Sequence, residues 1–308
     1  MLNEGEWIVN EQWILLLQQF SNPFFDALFR FFSFLGSEIF YLFFLSFIYW
    51  CLNKKLAIRL GMVIFISMYV NFTLKDVFHL PRPDHPNLRI LENPEGESFP
   101  SGHAQSVATV AFYLTRNYPK PLFYAIAIVI TTLVSLSRVY LGVHYPRDVI
   151  VGSLLGLGIA HLFWYLNEKV EKQRLNLSLW WLMLLSLAVG GLLYFFSTGT
   201  LSIRVAGSLT GIFCGSLLEK TYVGFQEKVT VKVRFFRYLC GVATIIALYI
   251  LLKQIFPVSH PGLYLRYFIL NFWIVFIMPF LFQWTADRSQ TTRGIEYERS
   301  GKNRKPAG

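Results

Sequence analysis

Long apolar runs, separated by short polar segments, recur along most of the chain. A helix that crosses a bilayer needs about 20 mainly apolar residues, and many of the runs reach or approach that length. The pattern predicts nine membrane-spanning helices, near residues 34–51, 57–74, 103–116, 121–137, 148–166, 177–196, 201–218, 237–256 and 265–284. We therefore expect an all-α fold, a polytopic membrane helix bundle.

The amino-terminal segment, residues 1–33, is apolar but interrupted by Asn22, Pro23, Asp26 and Arg30. This pattern predicts an amphipathic segment that lies on the membrane surface. If the segment crosses the membrane instead, the number of spans becomes ten and the amino terminus changes sides.

A charged stretch at residues 167–176 divides the rest of the chain. Residues 34–166 before it contain the polar motifs described below, and residues 177–284 after it form additional transmembrane helices. Small residues four apart in this second part predict a surface for close helix packing; they are Gly207, Gly211 and Gly215. Residues 285–308 are polar and are predicted to form a tail.

The composition supports a membrane protein. Hydrophobic residues make up 54% of the chain and charged residues only 15%, whereas soluble domains have about 25% charged residues. The net charge of +10 could indicate a nucleic-acid partner, but most Lys and Arg residues fall in alternate connections and in the tail. Because cytoplasmic loops carry the excess of Lys and Arg, this distribution predicts a cytoplasmic carboxyl terminus and no nucleic acid.

Three polar patches fall at span ends on the opposite, non-cytoplasmic face: KDVFHLPRP (75–83), FPSGHAQS (99–106) and SRVYLGVHYPRD (137–148). They bring three permanent positive charges to one region, on Lys75, Arg82 and Arg138. Charged side chains at a membrane boundary are costly and usually face a partner, a cavity or an anion. Arg suits forked contacts with phosphate oxygens, and Lys acts as a point charge.

The remaining polar residues of these patches provide helix ends and imidazoles. Ser101 and Gly102 precede an apolar helix, whose free N–H groups attract an anion. Pro146 is suited to the first position of the next helix, which places His144 just before that helix and Asp148 in its first turn. A carboxylate near an imidazole N–H fixes the tautomer, so His144 can be a nucleophile. His103 can then be a general acid.

The three motifs K-x6-RP, PSGH and SR-x5-H, at Lys75–Pro83, Pro100–His103 and Ser137–His144, resemble the three-part signature of the type 2 phosphatidic acid phosphatase family. Residues 34–166 would be its six-helix-type phosphatase core. LGSEIFYLFFLSFIYW (35–50) and MYVNFTLKDVFHLPRP (68–83) are similar to the sphingosine-1-phosphate phosphatase branch. One departure concerns that branch, which typically has PSTH where this chain has PSGH.

The resemblance implies a metal-independent lipid phosphatase with a phosphorylated lipid as substrate and no cofactor. His144, oriented by Asp148, would attack phosphorus and form a phosphohistidine, and His103 would protonate the leaving oxygen. The phosphate would be bound by the remaining motif residues, Lys75, Arg82, Ser101, Gly102 and Arg138. The site would face the extracytoplasmic or lumenal side.

Two alternatives to hydrolysis remain open. The same phosphohistidine could pass its phosphoryl group to an acceptor other than water, which would make the protein a phosphotransferase. The chain could also be a transporter of anionic lipids that performs no chemistry, because the helices after residue 176 exceed what a minimal catalytic core needs.

Acidic residues near the motifs have separate interpretations. Glu38 lies near the outer end of the first span, and we expect it to contact the catalytic patch or the substrate headgroup. Glu92, Glu95 and Glu97 are expected to lie in a solvated loop. No grouping of these residues predicts a metal site.

Overall fold

The computed structural model describes residues 4–173 and 177–286, with side chains described from residue 11 onward. This part of the chain contains helices and no strand. The helices are α1 (Glu4–Gln18), α2 (Pro23–Phe34), α3 (Glu38–Phe47), α4 (Lys54–Phe78), α5 (Gly102–Asn117), α6 (Pro121–Tyr140), α7 (Pro146–Gln173), α8 (Leu179–Phe195), α9 (Thr200–Leu218), α10 (Val231–Ile255) and α11 (His260–Phe272). Short π-helical segments extend α3 to Leu52 and α9 to Val223, and α11 continues through another to Ala286.

The all-α bundle is confirmed, but the predicted count of nine spans is not. Six helical stretches of the described chain are long and apolar enough to cross a membrane; they are Lys54–Phe78, Pro121–Tyr140, Pro146–Gln173, Thr200–Val223, Val231–Ile255 and His260–Ala286. The pair α2 and α3, bent by 56°, makes a seventh if it is counted as one span. Helices α5 and α8 coincide with predicted spans but have only 16 and 17 residues.

The bend between α2 and α3 has local causes in the sequence. The Asn22 side chain caps α2 by accepting a hydrogen bond from the Phe25 N–H, and Ser37 caps α3 in the same way from the Phe40 N–H. A capped start fixes where a helix begins, so the apolar run is divided at residues 35–37. Gly36 lies in this break.

The amino-terminal helix α1 packs against α6 and α7 near the end of α6 and the start of α7. Its Ile14 is fully buried and its Gln18 nearly so. The Gln18 amide donates to the carbonyl oxygens of Arg89 and Tyr140, at 2.8 Å each, and accepts from the Arg89 N–H at 2.9 Å. Helix α1 thereby ties the segment after α4 to the end of α6. Residues 287–308, which include nearly all of the predicted tail, lie outside the described residues.

Helices α5 and α7 pack closely because α7 presents glycine to α5. A Cβ at Gly152 would lie 2.5 Å from the Ser101 carbonyl oxygen, and one at Gly156 would lie 2.3 Å from that of Gln105. Backbones can approach this closely only where no side chain intervenes. The start of α5 is therefore held directly against the first turns of α7.

The helices after residue 176 pack on one another and on α4. The predicted packing surface of α9 is confirmed, since a Cβ at Gly207 or Gly211 would lie within 2.4 Å of a carbonyl oxygen of α11. At one end of the bundle, Lys54 at the start of α4 forms a 2.9 Å ion pair with buried Glu219. Tyr49 and Trp50 donate hydrogen bonds to the carbonyl oxygens of Val275 and Ile274. These contacts join the second part of the chain to the core.

Candidate active site

The three predicted patches meet at one end of the core. Lys75 lies in the last turn of α4, Arg138 near the end of α6, and Asp148 in the first turn of α7. Lys75, Arg138, His144 and Asp148 are all at least 95% buried. Pro146 begins α7 and Ser101 is the N-cap of α5, as predicted.

His144 lies beside Asp148, with 3.5 Å between the imidazole Nδ1 and the carboxylate Oδ2. The same carboxylate oxygen accepts hydrogen bonds from the Ser98 hydroxyl at 2.5 Å and from the Tyr145 N–H at 3.0 Å. Ser98 Oγ is also 3.4 Å from His144 Nδ1. Three groups thus fix the orientation of the carboxylate, and the carboxylate and Ser98 face the same imidazole nitrogen.

The other nitrogen of His144 faces Arg82. Arg82 Nη1 lies 3.3 Å from His144 Nε2, and a guanidinium group can only donate. The contact therefore requires Nε2 to carry a lone pair and Nδ1 to carry the proton, which is the tautomer that an adjacent carboxylate favours. Burial, together with the charges of Arg138, Arg82 and Lys75, holds the pKa of His144 well below its usual value. The lowered pKa favours the neutral imidazole, whose Nε2 lone pair faces the Arg82 guanidinium.

Arg82 and Lys75 are bound by backbone carbonyl groups of the segment between α4 and α5, and Arg82 also by that of Val143 between α6 and α7. Arg82 donates to the carbonyl oxygens of Glu95, Gly96 and Val143 at 3.2, 3.0 and 2.8 Å. Lys75 donates to those of Glu97 and Ser98. Burial lowers the pKa of Arg82 to about 10, so its guanidinium remains charged at pH 7. Within the described part of the chain, both cations are thus held by backbone carbonyl dipoles and form no ion pair with a carboxylate.

Arg138 is fully buried and only part of its guanidinium is engaged. Its Nη1 donates to the Ser33 hydroxyl and to the Glu92 carboxylate. Its Nε and Nη2 have no hydrogen-bond partner in the described chain. Because buried donors are rarely left unpaired, these two N–H groups are available to an anion in the forked geometry that Arg offers to phosphate.

The start of α5 offers further groups. Ser101 is completely buried, and its hydroxyl has no hydrogen-bond partner among the described residues. Its backbone N–H donates to the Asp148 carbonyl oxygen at 3.0 Å. Gly102 begins the helix, so the free N–H groups of the first turn lie next to the cations. An anion bound at the start of α5 would contact both the N–H groups and the cations.

His103, the second residue of α5, is half-buried. The charged groups that act on it are Arg138, Arg82 and Lys75, together with His144, which places it at the same site. Gly36 lies against it, since a Cβ at Gly36 would be 2.9 Å from His103 Cβ. The break between α2 and α3 therefore provides the wall behind this imidazole.

Glu38 starts α3 and, with Arg204, lines a cavity beside the core. Its contact with the catalytic patch or the substrate headgroup stays a prediction. Sequence reasoning misassigned Glu92, which was expected in solvent but pairs with buried Arg138. Ser98 and Ser33 were missed altogether. Ser98 precedes the PSGH motif by two residues, and this proximity was the one signal available for it.

Comparison with known proteins relates the chain to one superfamily. Residues 56–172 match the PAP2 superfamily, and residues 203–288 match the transmembrane extension of PAP2 superfamily phosphatases. Together the two matches cover well over half of the chain. They support an integral, multi-pass membrane protein.

Each individual relative matches a smaller part of the chain than the two family matches together. Mouse (Mus musculus) sphingosine-1-phosphate phosphatase 2 is 36% identical over 49% of this chain and 46% of its own length. Phosphatidylglycerophosphatase B of Bacillus subtilis is 39% identical over 34% of this chain and 55% of its own. The chain spans about half the length of these curated relatives. The crystal structure of a PAP2-type phosphatidylglycerolphosphate phosphatase from Bacillus subtilis has 26% identity, covers 55% of this chain and 89% of its own, and gives a TM-score of 0.48.

Proposed function

Because the chain belongs to the PAP2 superfamily and contains both its domain and its transmembrane extension, we propose that it is a membrane lipid phosphatase. The proposed substrate is a phosphate monoester or diphosphate carried by a lipid. One observation supports this above the others: a neutral, buried imidazole, oriented by Asp148, lies in contact with Arg82 and close to the unpaired N–H groups of Arg138.

In the first step, the lone pair of His144 Nε2 attacks phosphorus. A nitrogen–phosphorus bond forms, and the bond between phosphorus and the lipid oxygen breaks. The electron pair goes to that oxygen, which takes a proton from His103 and leaves as the lipid alcohol or, from a diphosphate, as the lipid monophosphate. The negative charge of the bound phosphate offsets the cations that lower the pKa of His103, and so favours the protonated imidazole that this step requires. The imidazole becomes positively charged while its Nδ1 keeps its proton, and the Asp148 carboxylate stabilises that charge.

In the second step, water attacks the phosphohistidine. His103, now neutral, accepts a proton from the water as the new oxygen–phosphorus bond forms. The nitrogen–phosphorus bond breaks, its electron pair returns to Nε2, and inorganic phosphate leaves. His144 and His103 regain their starting protonation states, so the cycle closes.

Charge on the phosphoryl oxygens is stabilised in both steps by donors that are already in position. Lys75, Arg82 and Arg138 supply cationic donors, and Ser101 and the Gly102 N–H supply hydrogen bonds at the helix start. Removing one such preorganised donor costs about 10²–10³-fold in rate where this has been measured. This is the main catalytic contribution that we assign to the motif residues other than the two imidazoles.

We place the site at the extracytoplasmic or lumenal face and the carboxyl terminus in the cytoplasm. The charged groups support this assignment. Lys54, Lys55 and Arg59 lie at the end of the bundle away from the site, where Lys55 and Arg59 pair with Glu171 and Lys54 pairs with Glu219. Cytoplasmic ends carry the Lys and Arg excess.

The test is phosphate release by the purified protein across a panel of lipid monophosphates and diphosphates, with EDTA present, beside the His144→Ala variant. We expect release that survives chelation and disappears in the variant, with acid-labile phosphate trapped on His144 after rapid quenching. Phosphate on His144 without release would indicate a phosphotransferase. Binding of lipid phosphate that survives His144→Ala, with no release by either protein, would indicate a transporter.

A further inference from the structure

A cavity of about 450 Å³ lies between the core and the helices after residue 176. Its walls come from α3 and α4 on one side and from α9, α10 and α11 on the other. Cavities of about 300–1,000 Å³ are typical of small-molecule sites. The residues that line it are mostly aliphatic or aromatic, so the cavity suits an apolar ligand.

Three of the hydroxyl groups in the wall donate to backbone carbonyl oxygens. Ser46 donates to the Leu42 carbonyl oxygen at 2.7 Å, Tyr49 to that of Val275 at 2.8 Å, and Ser208 to that of Arg204 at 2.9 Å. A buried water needs two to four polar partners. The hydroxyl hydrogens of these three side chains already bond the backbone, and most of the other lining residues are apolar. The middle of the cavity therefore favours hydrocarbon over water.

The depth of the cavity matches one leaflet of a bilayer. Its lining residues extend from Glu38 to Tyr49, from Ala57 to Met68 on α4, and from Leu201 to Ile212 on α9. At about 1.5 Å per residue, each helix contributes roughly 16 Å of wall. This is about half of the ~30 Å hydrocarbon thickness of a bilayer.

The cavity also has an entrance from the side. Ile39 of α3 and Ile246 and Tyr249 of α10 line it, and each is also at least 39% exposed. Apolar residues that face both the cavity and the exterior mark a gap between α3 and α10. A ligand can enter through that gap directly from the hydrocarbon of the membrane.

The polar end of the cavity is connected to the active site. Glu38 and Arg204 line this end, and Arg204 forms a 3.3 Å ion pair with Glu95. The backbone carbonyl of Glu95 in turn accepts from Arg82, the residue in contact with His144. Three contacts, through Glu95 and Arg82, thus connect Arg204 in the cavity wall to the imidazole of His144.

We propose that this cavity binds the aliphatic chain of the substrate lipid while its phosphate occupies the site at His144; the proposal rests on the proposed function. The helices after residue 176 then contribute to substrate recognition. They form the far wall of the cavity, which limits the length of the bound aliphatic chain to about the depth of one leaflet.

The first experiment maps where the chain lies. The full protein in nanodiscs is photolysed with hexadecyl phosphate that carries a diazirine at the end of its chain. We expect the label on residues of the deep end, around Tyr49 and Ile274, and we expect it to decrease when orthovanadate is added as a competitor for the phosphate site. Label confined to lipid-facing residues of α8 overturns the proposal. Equal labelling by the diazirine analogue of hexadecanol does so too, because the cavity would then hold any membrane chain.

The second experiment fills the deep end. Ala57 is buried in the cavity wall, and Ala57→Leu displaces roughly two methylene groups of a long chain, which corresponds to about a tenfold loss of kcat/KM for hexadecyl phosphate. Octyl phosphate, which does not reach that depth, should be hydrolysed as by the wild type, and this also shows that the variant is folded. The matched control is Ala188→Leu on the outer surface of α8, which should change neither substrate.

Equal behaviour of the two variants on both substrates contradicts the proposal. The labelling also separates it from the proposed function. Vanadate-sensitive label in the cavity without phosphate release would leave the cavity assignment standing and remove the phosphatase. Phosphate release with no label in the cavity would support the phosphatase and contradict the cavity assignment.

Discussion

Replacing Gly152 with Ala tests whether contact between α5 and α7 sets the catalytic geometry. The new Cβ would lie 2.5 Å from the Ser101 carbonyl oxygen and 3.3 Å from its nitrogen, and both are backbone atoms. Ordinary contacts begin near 3.4 Å, so the two helices must separate by roughly 1 Å. His144 and Asp148 precede and begin α7, whereas Ser101 and His103 belong to the start of α5. The separation therefore falls between the proposed nucleophile and the proposed acid.

A misplacement of about 1 Å can cost about 10²-fold in rate, and overpacking of this kind costs about 1–3 kcal/mol of stability. We expect Gly152→Ala to lower kcat/KM for a lipid phosphate by about 10²-fold while the protein remains folded in detergent. The assay is phosphate release, with the thermal unfolding temperature measured beside it.

The same helix provides a matched control. A Cβ at Gly158 would meet no atom within 4 Å, so Gly158→Ala should leave kcat/KM unchanged and the unfolding temperature equal or slightly higher. Wild-type kcat/KM in folded Gly152→Ala would refute the argument that close packing of α5 on α7 positions the catalytic groups.

Three further predictions concern single side chains. Ser98→Ala removes a hydrogen bond to the Asp148 carboxylate, and bonds to charged groups contribute about 1.5–3 kcal/mol. We therefore expect kcat/KM to fall at least tenfold and to be recovered in Ser98→Thr. Full activity of the Ala variant would contradict the role of Ser98 in orienting Asp148. Arg82→Gln removes one of the charges that lower the pKa of His144. That pKa should rise, so the acid limb of the kcat/KM–pH profile should move to higher pH. An acid limb at the wild-type pH would contradict the assignment of His144 as the neutral nucleophile. Glu219→Ala removes the hydrogen-bond acceptor of Lys54 and of the Phe225 N–H. The loss of this buried carboxylate should lower the free energy of unfolding by about 1–3 kcal/mol and leave kcat/KM unchanged. An unchanged unfolding temperature would count against this link between the two parts of the chain.

Much of the site could be located from the sequence because its residues occupy helix ends. A proline at a helix start and a serine before an apolar run are local signals, and the structure places Pro146 and Ser101 accordingly. The catalytic and binding roles of the motif residues stay predictions.

The groups that surround the motif could not be found in this way. Ser33 reaches Arg138 from α2, and Glu92 reaches it from the segment between α4 and α5. Such contacts join residues far apart in sequence, and no periodicity or spacing encodes them. For the same reason, the expectation that Glu92 lies in solvent was wrong.

The number of spans was the weakest part of the sequence-based prediction. Apolar content identifies a helix but does not reveal a bend, and the 56° angle between α2 and α3 depends on Ser37 restarting the helix. Helix α5 is shorter than a typical span, since it ends at Asn117, two residues before Pro119. Length and bending, and not hydropathy, separate the predicted nine from the six or seven of the structure.

The carbonyl groups around Lys75 and Arg82 have a consequence for anion selectivity. In the absence of a ligand, these oxygens act as a substitute solvation shell for the two cations. An incoming anion competes with that shell. Chloride offers a single charge, which cannot compensate several cations at once. A phosphate ester carries about −1.5 to −2 charges and three acceptor oxygens. If the proposed site binds its substrate as we infer, these carbonyl groups would favour a phosphoryl group over a halide such as chloride.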